Sequence, residues 1–237
     1  MAHAFRRRSD GSVSCRLEQE EKAVIAQIAQ ETRELVRQDL GLTEEPEAVR
    51  RAADSEDPLE RLEAELASTS ARSPRDPAVR RLLPDASDDP EVAAEMRRLG
   101  QHDLATAKTE GLARLLQLID ASGLRESEVS VPAEDVEGVL RSLTDLRLVL
   151  AERLGLERDG DFETLRMIEE IGRRVPGAAG RDEESDLTAL MAAVYELLTW
   201  LQESLLQVLD DGTIGGTVDG LGDGFADGFD DGFGRRR

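Results

Sequence analysis

The chain has 237 residues, a formal charge of −21, only 3 % aromatic residues and a single cysteine, Cys15. One cysteine excludes an intramolecular disulfide and with it a secreted disulfide scaffold, and the acidic excess disfavours strong direct binding to duplex DNA. No apolar run reaches the roughly 18 to 20 residues that span a bilayer, so we expect a soluble cytoplasmic protein with no membrane association. Because aromatic residues are scarce, the core must be built from Leu, Val, Ile and Ala, which at helical spacing indicates an all-α protein.

The first predicted element is a small β-hairpin. Residues 4–8 and 12–17 flank Asp10-Gly11, and Asp-Gly between two alternating segments is a hairpin signal. A lone hairpin is marginally stable and must pack on helices. We therefore expect Phe5, Val13 and Cys15 to point inward. The arginines at residues 6–8 leave room for a local basic patch.

Residues 18–40 are predicted to form the first helix, because they combine an apolar face with an acidic first turn and are followed by Gly41. The stretch 42–76 is dominated by Glu, Asp, Ala, Arg and Ser. It is predicted to be an acidic, partly disordered insertion. One short helix is expected within it, over residues 58–66.

Two cap-and-proline pairs predict the next helix starts, since Asp is a favoured N-cap and Pro a favoured first helical residue. Asp76-Pro77 opens a short helix that ends near residue 83, and Asp89-Pro90 opens a helix that reaches Leu99. Gly100 is expected to break or bend that helix. A longer helix over residues 102–121 is predicted to follow it.

A central helix is predicted over residues 133–154, and we expect the rest of the chain to be organised around it. Its apolar residues recur at steps of three and four, which places them on one helical face. Gly155 marks its end. A smaller helix is expected over residues 162–171. The apolar stripe consists of Val136, Val139, Leu143, Leu146, Leu150 and Leu154.

The last predicted helix, residues 186–209, is the most apolar and carries Tyr195 and Trp200, and it should pack beside the central helix. Residues 212–237 are rich in Gly and Asp and lack periodic apolar residues, so they are predicted to be a disordered tail. The predicted fold is an all-α helical bundle with a small N-terminal β-hairpin. It forms a single helical domain over residues 1–211.

No pattern in the sequence indicates an enzyme, a cofactor site or a metal site. His102 has no recognisable nucleophile or base partner. The acidic cluster Asp85, Asp88 and Asp89 precedes a helix start, where capping is the favoured interpretation and a hard cation the alternative. The Asp-Gly-Phe repeats of the tail lack the spacing and terminal Glu of an EF-hand loop.

Polar residues on the central helix are the candidate interaction patch. Arg141 and Asp145 are four residues apart, so they can form an ion pair on one face. Asp145 and Arg147 flank the apolar stripe. They either clamp a neighbouring helix or present a polar patch to a partner, in which Trp200, Gln202 and Glu203 of the last helix join them.

Cys15 is the candidate redox residue, because it is the only thiol in the chain. The favoured interpretation is a small buried residue of the hairpin. The alternative is a reactive thiol, whose pKa would be lowered by Arg16 and the other nearby arginines.

Three sequence blocks resemble an actinobacterial helical family. They are Arg-Leu-Leu-Pro-Asp-Ala at 81–86 with Asp-Asp-Pro-Glu at 88–91 and Glu-Met-Arg-Arg-Leu at 95–99; Leu-Thr-Asp-Leu-Arg-Leu at 143–148 with Arg-Leu-Gly at 153–155; and Tyr-Glu-Leu-Leu-Thr-Trp-Leu-Gln-Glu-Ser-Leu at 195–205. The opening Phe-Arg-Arg-Arg at 5–8 matches as well. The chain thus resembles the actinomycete oxidative-stress regulator (AosR-like) family, formerly a domain of unknown function.

The resemblance implies a transcription regulator that responds to oxidants and contacts a sigma factor or RNA polymerase. One cysteine does not allow a disulfide switch within the chain, which leaves a disulfide between chains or a sulfenic acid at Cys15. The alternative function is a non-catalytic helical scaffold or adaptor, which would form a homodimer through the Leu-rich last helix.

Overall fold

The computed structural model describes residues 3–42, 72–123, 127–158, 160–174 and 183–214. The predicted helix at 58–66, most of the acidic insertion and residues 215–237 of the tail lie outside these ranges. The described strands are β1 (His3–Arg7), β2 (Val13–Arg16) and β3 (Glu128–Val131). The described helices are α1 (Gln19–Leu40), α2 (Pro77–Leu82), α3 (Pro90–Ala121), α4 (Val136–Arg153), α5 (Asp161–Arg174) and α6 (Glu183–Ile214).

The described chain is mostly helical with a small N-terminal β-hairpin, as the sequence predicts. β1 and β2 pair antiparallel, and the turn between them uses Gly11 at φ 84°. Phe5, Val13 and Cys15 are all buried, as expected from the alternation of the hairpin. The hairpin therefore lies on the helices with its apolar face inward.

The strand β3 was not predicted and turns the hairpin into a three-stranded sheet in the order β1-β2-β3. Val129 and Val131 of this strand pair with Cys15 and Val13 of β2 and are buried on the same inner face. β3 leads through a 3-10 turn at Ala133–Asp135 into α4, so the predicted central helix begins three residues later than expected.

The helix α1 follows the prediction closely. Glu18 and Glu21 form a capping box at its start, and Gly41 adopts a left-handed φ of 69° at its end. Near its first turn the buried Lys22 donates from Nζ to the carbonyl of Gly123 at 2.7 Å and to Ser122 Oγ at 3.1 Å. This amino group thus ties the start of α1 to the C-terminal end of α3.

The helix α3 is continuous over 32 residues, so of the predicted break or bend at Gly100 the break is wrong, and the two predicted helices are one. Its predicted N-cap is confirmed, because the Asp89 carboxylate accepts from the backbone N–H groups of Glu91 and Val92. Asp76 caps α2 in the same way through the N–H of Ala78. Both cap-and-proline starts are therefore correct, and only the interior glycine was misinterpreted.

The helix α4 packs against α2, α3 and α6, which places it at the centre as predicted. Its stripe residues Val136, Val139, Leu143, Leu146 and Leu150 are all buried. The stripe joins the inner face of the sheet, α1, α3 and α6 in the main core. In a smaller apolar cluster, α2 packs against the C-terminal parts of α1 and α4. The buried members of this cluster include Val36, Val79, Leu82 and Val149.

The helix α6 extends from Glu183 to Ile214 and is longer than predicted at both ends. It packs on α4 and on β1. At the sheet the backbone N–H of Phe5 donates to Ser204 Oγ at 3.4 Å. No helix in the described ranges is long and apolar enough to cross a membrane.

Candidate functional site

The two polar residues predicted to flank the stripe of α4 point to different neighbours. Asp145 is 5 % exposed and its carboxylate lies 2.6 Å from Nζ of Lys108 on α3. Burial raises the pKa of the Asp145 carboxyl, while the hydrogen bond and the positive charge of Lys108 act in the opposite direction. The pair is therefore an internal connection between α3 and α4.

The sequence spacing allows an ion pair between Arg141 and Asp145, but in the structure each of them pairs with another residue. Arg141 instead pairs with Glu137 one turn earlier on the exposed side of α4. The cause is burial, because Asp145 faces Lys108 in the helix interface while the Arg141 side chain is 71 % exposed.

Arg147 faces α6 and clamps it to α4. One guanidinium nitrogen donates to Gln202 Oε1 at 2.6 Å, and the guanidinium carbon lies 5.2 Å from the ring centre of Tyr195, within cation–π range. Gln202 in turn donates from Nε2 to Thr144 Oγ1 at 3.0 Å. Of the two interpretations of Arg147 made from the sequence, the one in which it clamps a neighbouring helix matches these contacts.

An open groove of about 800 Å³ lies beside this clamp. The rings of Phe162 on α5 and Tyr195 on α6 meet there at a centroid distance of 4.9 Å. Trp200 is 37 % exposed on the same wall. Aromatic and arginine side chains with partial exposure are the types enriched where proteins bind one another. The lining includes Arg147, Leu156, Phe162, Arg166, Tyr195, Trp200 and Glu203.

The structure therefore brings together three of the five predicted patch residues. Arg147, Trp200 and Glu203 line the groove, and Gln202 supports it from behind by holding Arg147. Asp145 is turned away into the interface with α3. Phe162, and Arg166 with its ion pair to Glu196 at 2.9 Å, were missed as site residues. The only available signal was the short predicted helix that carries both Phe162 and Arg166.

Cys15 does not lie in the groove. It is 3 % exposed on the inner face of the sheet, and its pKa is raised to about 12, first by burial and then by the charges of Glu21 and Glu128. The favoured interpretation of Cys15 as a small buried residue is confirmed. In the alternative, arginines would lower its pKa, but Arg16 follows Cys15 on the strand and points to the opposite face. The thiol is therefore protonated at neutral pH, which is the state of lowest nucleophilic reactivity.

The acidic cluster before α3 serves the helix start. Asp89 is the N-cap, and Asp85 pairs with Arg97. In the described part of the chain, no three His, Cys, Asp or Glu side chains converge as metal ligands.

Comparison with known proteins identifies the family. Neither curated proteins nor solved structures yield a match to this chain. A family model described as "Domain of unknown function (DUF2017)" matches residues 2–209, which covers the sheet, α1 to α5 and most of α6. The chain is therefore a member of the DUF2017 family.

Proposed function

We propose that this chain is a non-catalytic regulator that works through protein–protein contact at the groove between α5 and α6. The observation that carries the proposal is the half-exposed Trp200, the only tryptophan of the chain, beside Tyr195, Phe162 and Arg147 in an open groove. When a partner covers a large aromatic side chain that is exposed to water at a concave site, the free energy of the complex is lowered.

The resemblance to the actinomycete oxidative-stress regulators supports a sigma factor or an RNA polymerase subunit as that partner. The acidic surface supports it too, because a charge of −21 repels the phosphate backbone of DNA. The buried thiol of Cys15, with its raised pKa, does not favour direct oxidation of this chain. We therefore propose that the link to oxidative stress lies in the partner and in the cytoplasmic signalling pathway to which the partner belongs.

The test is affinity capture of partners with purified wild-type protein and with Trp200→Ala. Removing the indole of a groove residue should weaken partner binding by about 2 kcal/mol or more. Leu206→Ala is the matched control, since Leu206 is 41 % exposed on the same helix but does not line the groove. If neither oxidised nor reduced lysate yields a sigma factor or polymerase subunit, the proposed partner is wrong.

A second candidate function, a dimeric scaffold or adaptor, is favoured by the start of α6. Leu187 and Leu190 are 55 % and 53 % exposed and lie three residues apart on one face. Pairing of two copies along this face would cover both leucines. Light scattering of wild type and Leu190→Glu distinguishes the candidates, because a monomeric wild type excludes the homodimer.

A further inference from the structure

The outer face of the three-stranded sheet is a basic surface on an otherwise acidic protein. Side chains alternate along a strand, so the residues between the inward-facing ones lie on the outer face, where Ser14 is itself buried. Arg6 and Ser14 are paired across β1 and β2, and Ser14 faces Ser130 across β2 and β3. In the next row Arg16 faces Glu128. We call this surface, with Arg8 from the end of β1, the arginine face.

Arg8 neutralises the acid of this face. Its guanidinium lies 2.6 Å from the Glu128 carboxylate and donates from Nε to Ser14 Oγ at 3.2 Å. Ser14 Oγ also donates to Glu128 Oε1 at 2.9 Å. These contacts lower the pKa of the Glu128 carboxyl, with the hydrogen bond from Arg8 as the largest cause. Glu128 is therefore ionised, and its Oε1 is held by Arg8 and Ser14.

Arg6 and Arg16 carry the remaining positive charge of the face, and the charge of Arg16 also helps to lower the pKa of Glu128. Both are exposed, and within the described residues neither has a hydrogen bond from its side chain or an ion pair. The acids closest along the chain are engaged elsewhere. Asp10 accepts from the N–H and hydroxyl of Ser12, and the side chains of Glu18 and Glu21 form the capping box of α1. The face thus carries the guanidinium groups of Arg6, Arg8 and Arg16 against the one carboxylate of Glu128, an excess of two positive charges.

We propose that the arginine face binds an acidic, extended segment of a protein partner through Arg6 and Arg16. Guanidinium groups bind carboxylates through two parallel hydrogen bonds, which favours carboxylates over neutral side chains. Arg6 and Arg16 sit on adjacent strands two residues out of register, a separation that carboxylates at alternate positions of an extended peptide can match. This inference does not rest on the groove at Trp200.

Nucleic acid fits the face less well than an acidic peptide. Among the side chains of this face that the structure describes, Arg6, Ser14, Arg16, Glu128 and Ser130 carry no ring on which a base would stack. A nucleic acid also brings many phosphates toward a protein of charge −21. A short peptide needs only the two local contacts, which lie within one screening length of its carboxylates.

The test uses the full chain and a fluorescent synthetic peptide of alternating Ser and Glu, with a Ser-Gln peptide as the neutral control. Fluorescence anisotropy should show binding of the Ser-Glu peptide only, weakening as salt rises. The double variant R6Q/R16Q should bind roughly fivefold more weakly or worse. R6K/R16K should retain part of the affinity, since the charges remain and the paired hydrogen bonds are lost.

The matched control is R80Q/R141Q, which changes the net charge equally at two exposed positions outside the face. It should bind the Ser-Glu peptide like wild type, as should Trp200→Ala. Equal losses in the two double variants would show a general charge effect and overturn the proposal. So would the absence of binding to wild type, or tighter binding of a single-stranded oligonucleotide through the same arginines.

Discussion

The sharpest consequence of the structure concerns the buried pair of Lys108 and Asp145. Lys108→Met removes the cation and leaves a carboxylate whose side chain is only 8 % exposed. Removing one partner of a buried ion pair costs about 3 to 5 kcal/mol. The side chain of Lys108 is 19 % exposed, so water reaches part of the site. We therefore expect the lower end of that range, about 3 kcal/mol of unfolding free energy.

The assay is urea unfolding followed by circular dichroism. The double variant Lys108→Met/Asp145→Leu replaces both charges by apolar groups and should recover to within about 1 kcal/mol of wild type. Arg141→Met is the control, because the exposed pair of Arg141 and Glu137 is worth only a few tenths of a kcal/mol. A single variant that loses less than about 1 kcal/mol, or a double variant no more stable than the single one, would refute the reasoning.

The same pair predicts a direction with pH. Burial raises the pKa of Asp145 in the folded state, so this carboxyl favours folding most when it is protonated. Its contribution is present below the unfolded-state pKa and declines as pH rises through the folded-state pKa. Lys108 opposes this rise in the pKa of Asp145, so Lys108→Met makes the rise larger. The variant should therefore lose more unfolding free energy than wild type between mildly acidic and neutral pH.

Three further substitutions test other parts of the fold. Cys15→Ser should keep the fold with a melting temperature lowered by a few degrees, since a hydroxyl replaces a thiol that is 3 % exposed. Rapid reaction of the native wild-type thiol with a colorimetric disulfide reagent would contradict the raised pKa of Cys15. Asp89→Ala should cost about 1 kcal/mol in thermal unfolding by removing the cap of α3, and an unchanged melting curve would show the cap to be dispensable. Arg147→Met should cost about 1 to 2 kcal/mol by leaving Gln202 without its donor, and full stability in urea would show that Arg147 does not clamp α6.

The features predicted correctly are those that depend on residues close in sequence. The hairpin follows from Asp10-Gly11 and the alternation beside it, and both Asp-Pro starts follow from capping geometry. β3 was missed because it has only four residues and exists by pairing with β2, more than a hundred positions away. Strand formation depends on such a partner, which no local pattern reveals.

Gly100 shows how packing outweighs a local rule. A glycine inside a helix costs about 1 kcal/mol relative to alanine. The surrounding residues of α3 offset this cost, because Ala93 and Ala105 are buried on either side of the glycine. The helical backbone therefore passes through Gly100 without a break.

The predicted patch placed Asp145 and Arg147 together, and the structure separates them. Asp145 and Arg147 are two residues apart, and residues at that spacing do not share a helical face. Their separation toward α3 and α6 was therefore deducible from the sequence, although the identity of the neighbours was not. The groove itself needs α5 to meet α6 through Phe162 and Tyr195, which is a long-range contact.

These contacts separate the residues that hold the fold from those available to a partner. Asp145 and Arg147 of α4 are used inside the protein, since Asp145 contacts Lys108 and Arg147 contacts Gln202. Substituting these residues should lower the free energy of unfolding. Partner binding should then fall only in proportion to the fraction of the protein that is unfolded. Trp200 and Arg6 are exposed, so their substitution should weaken binding while the melting temperature stays within about a degree or two. A variant of Arg147 that loses partner binding at full stability would move that residue from the fold to the interface.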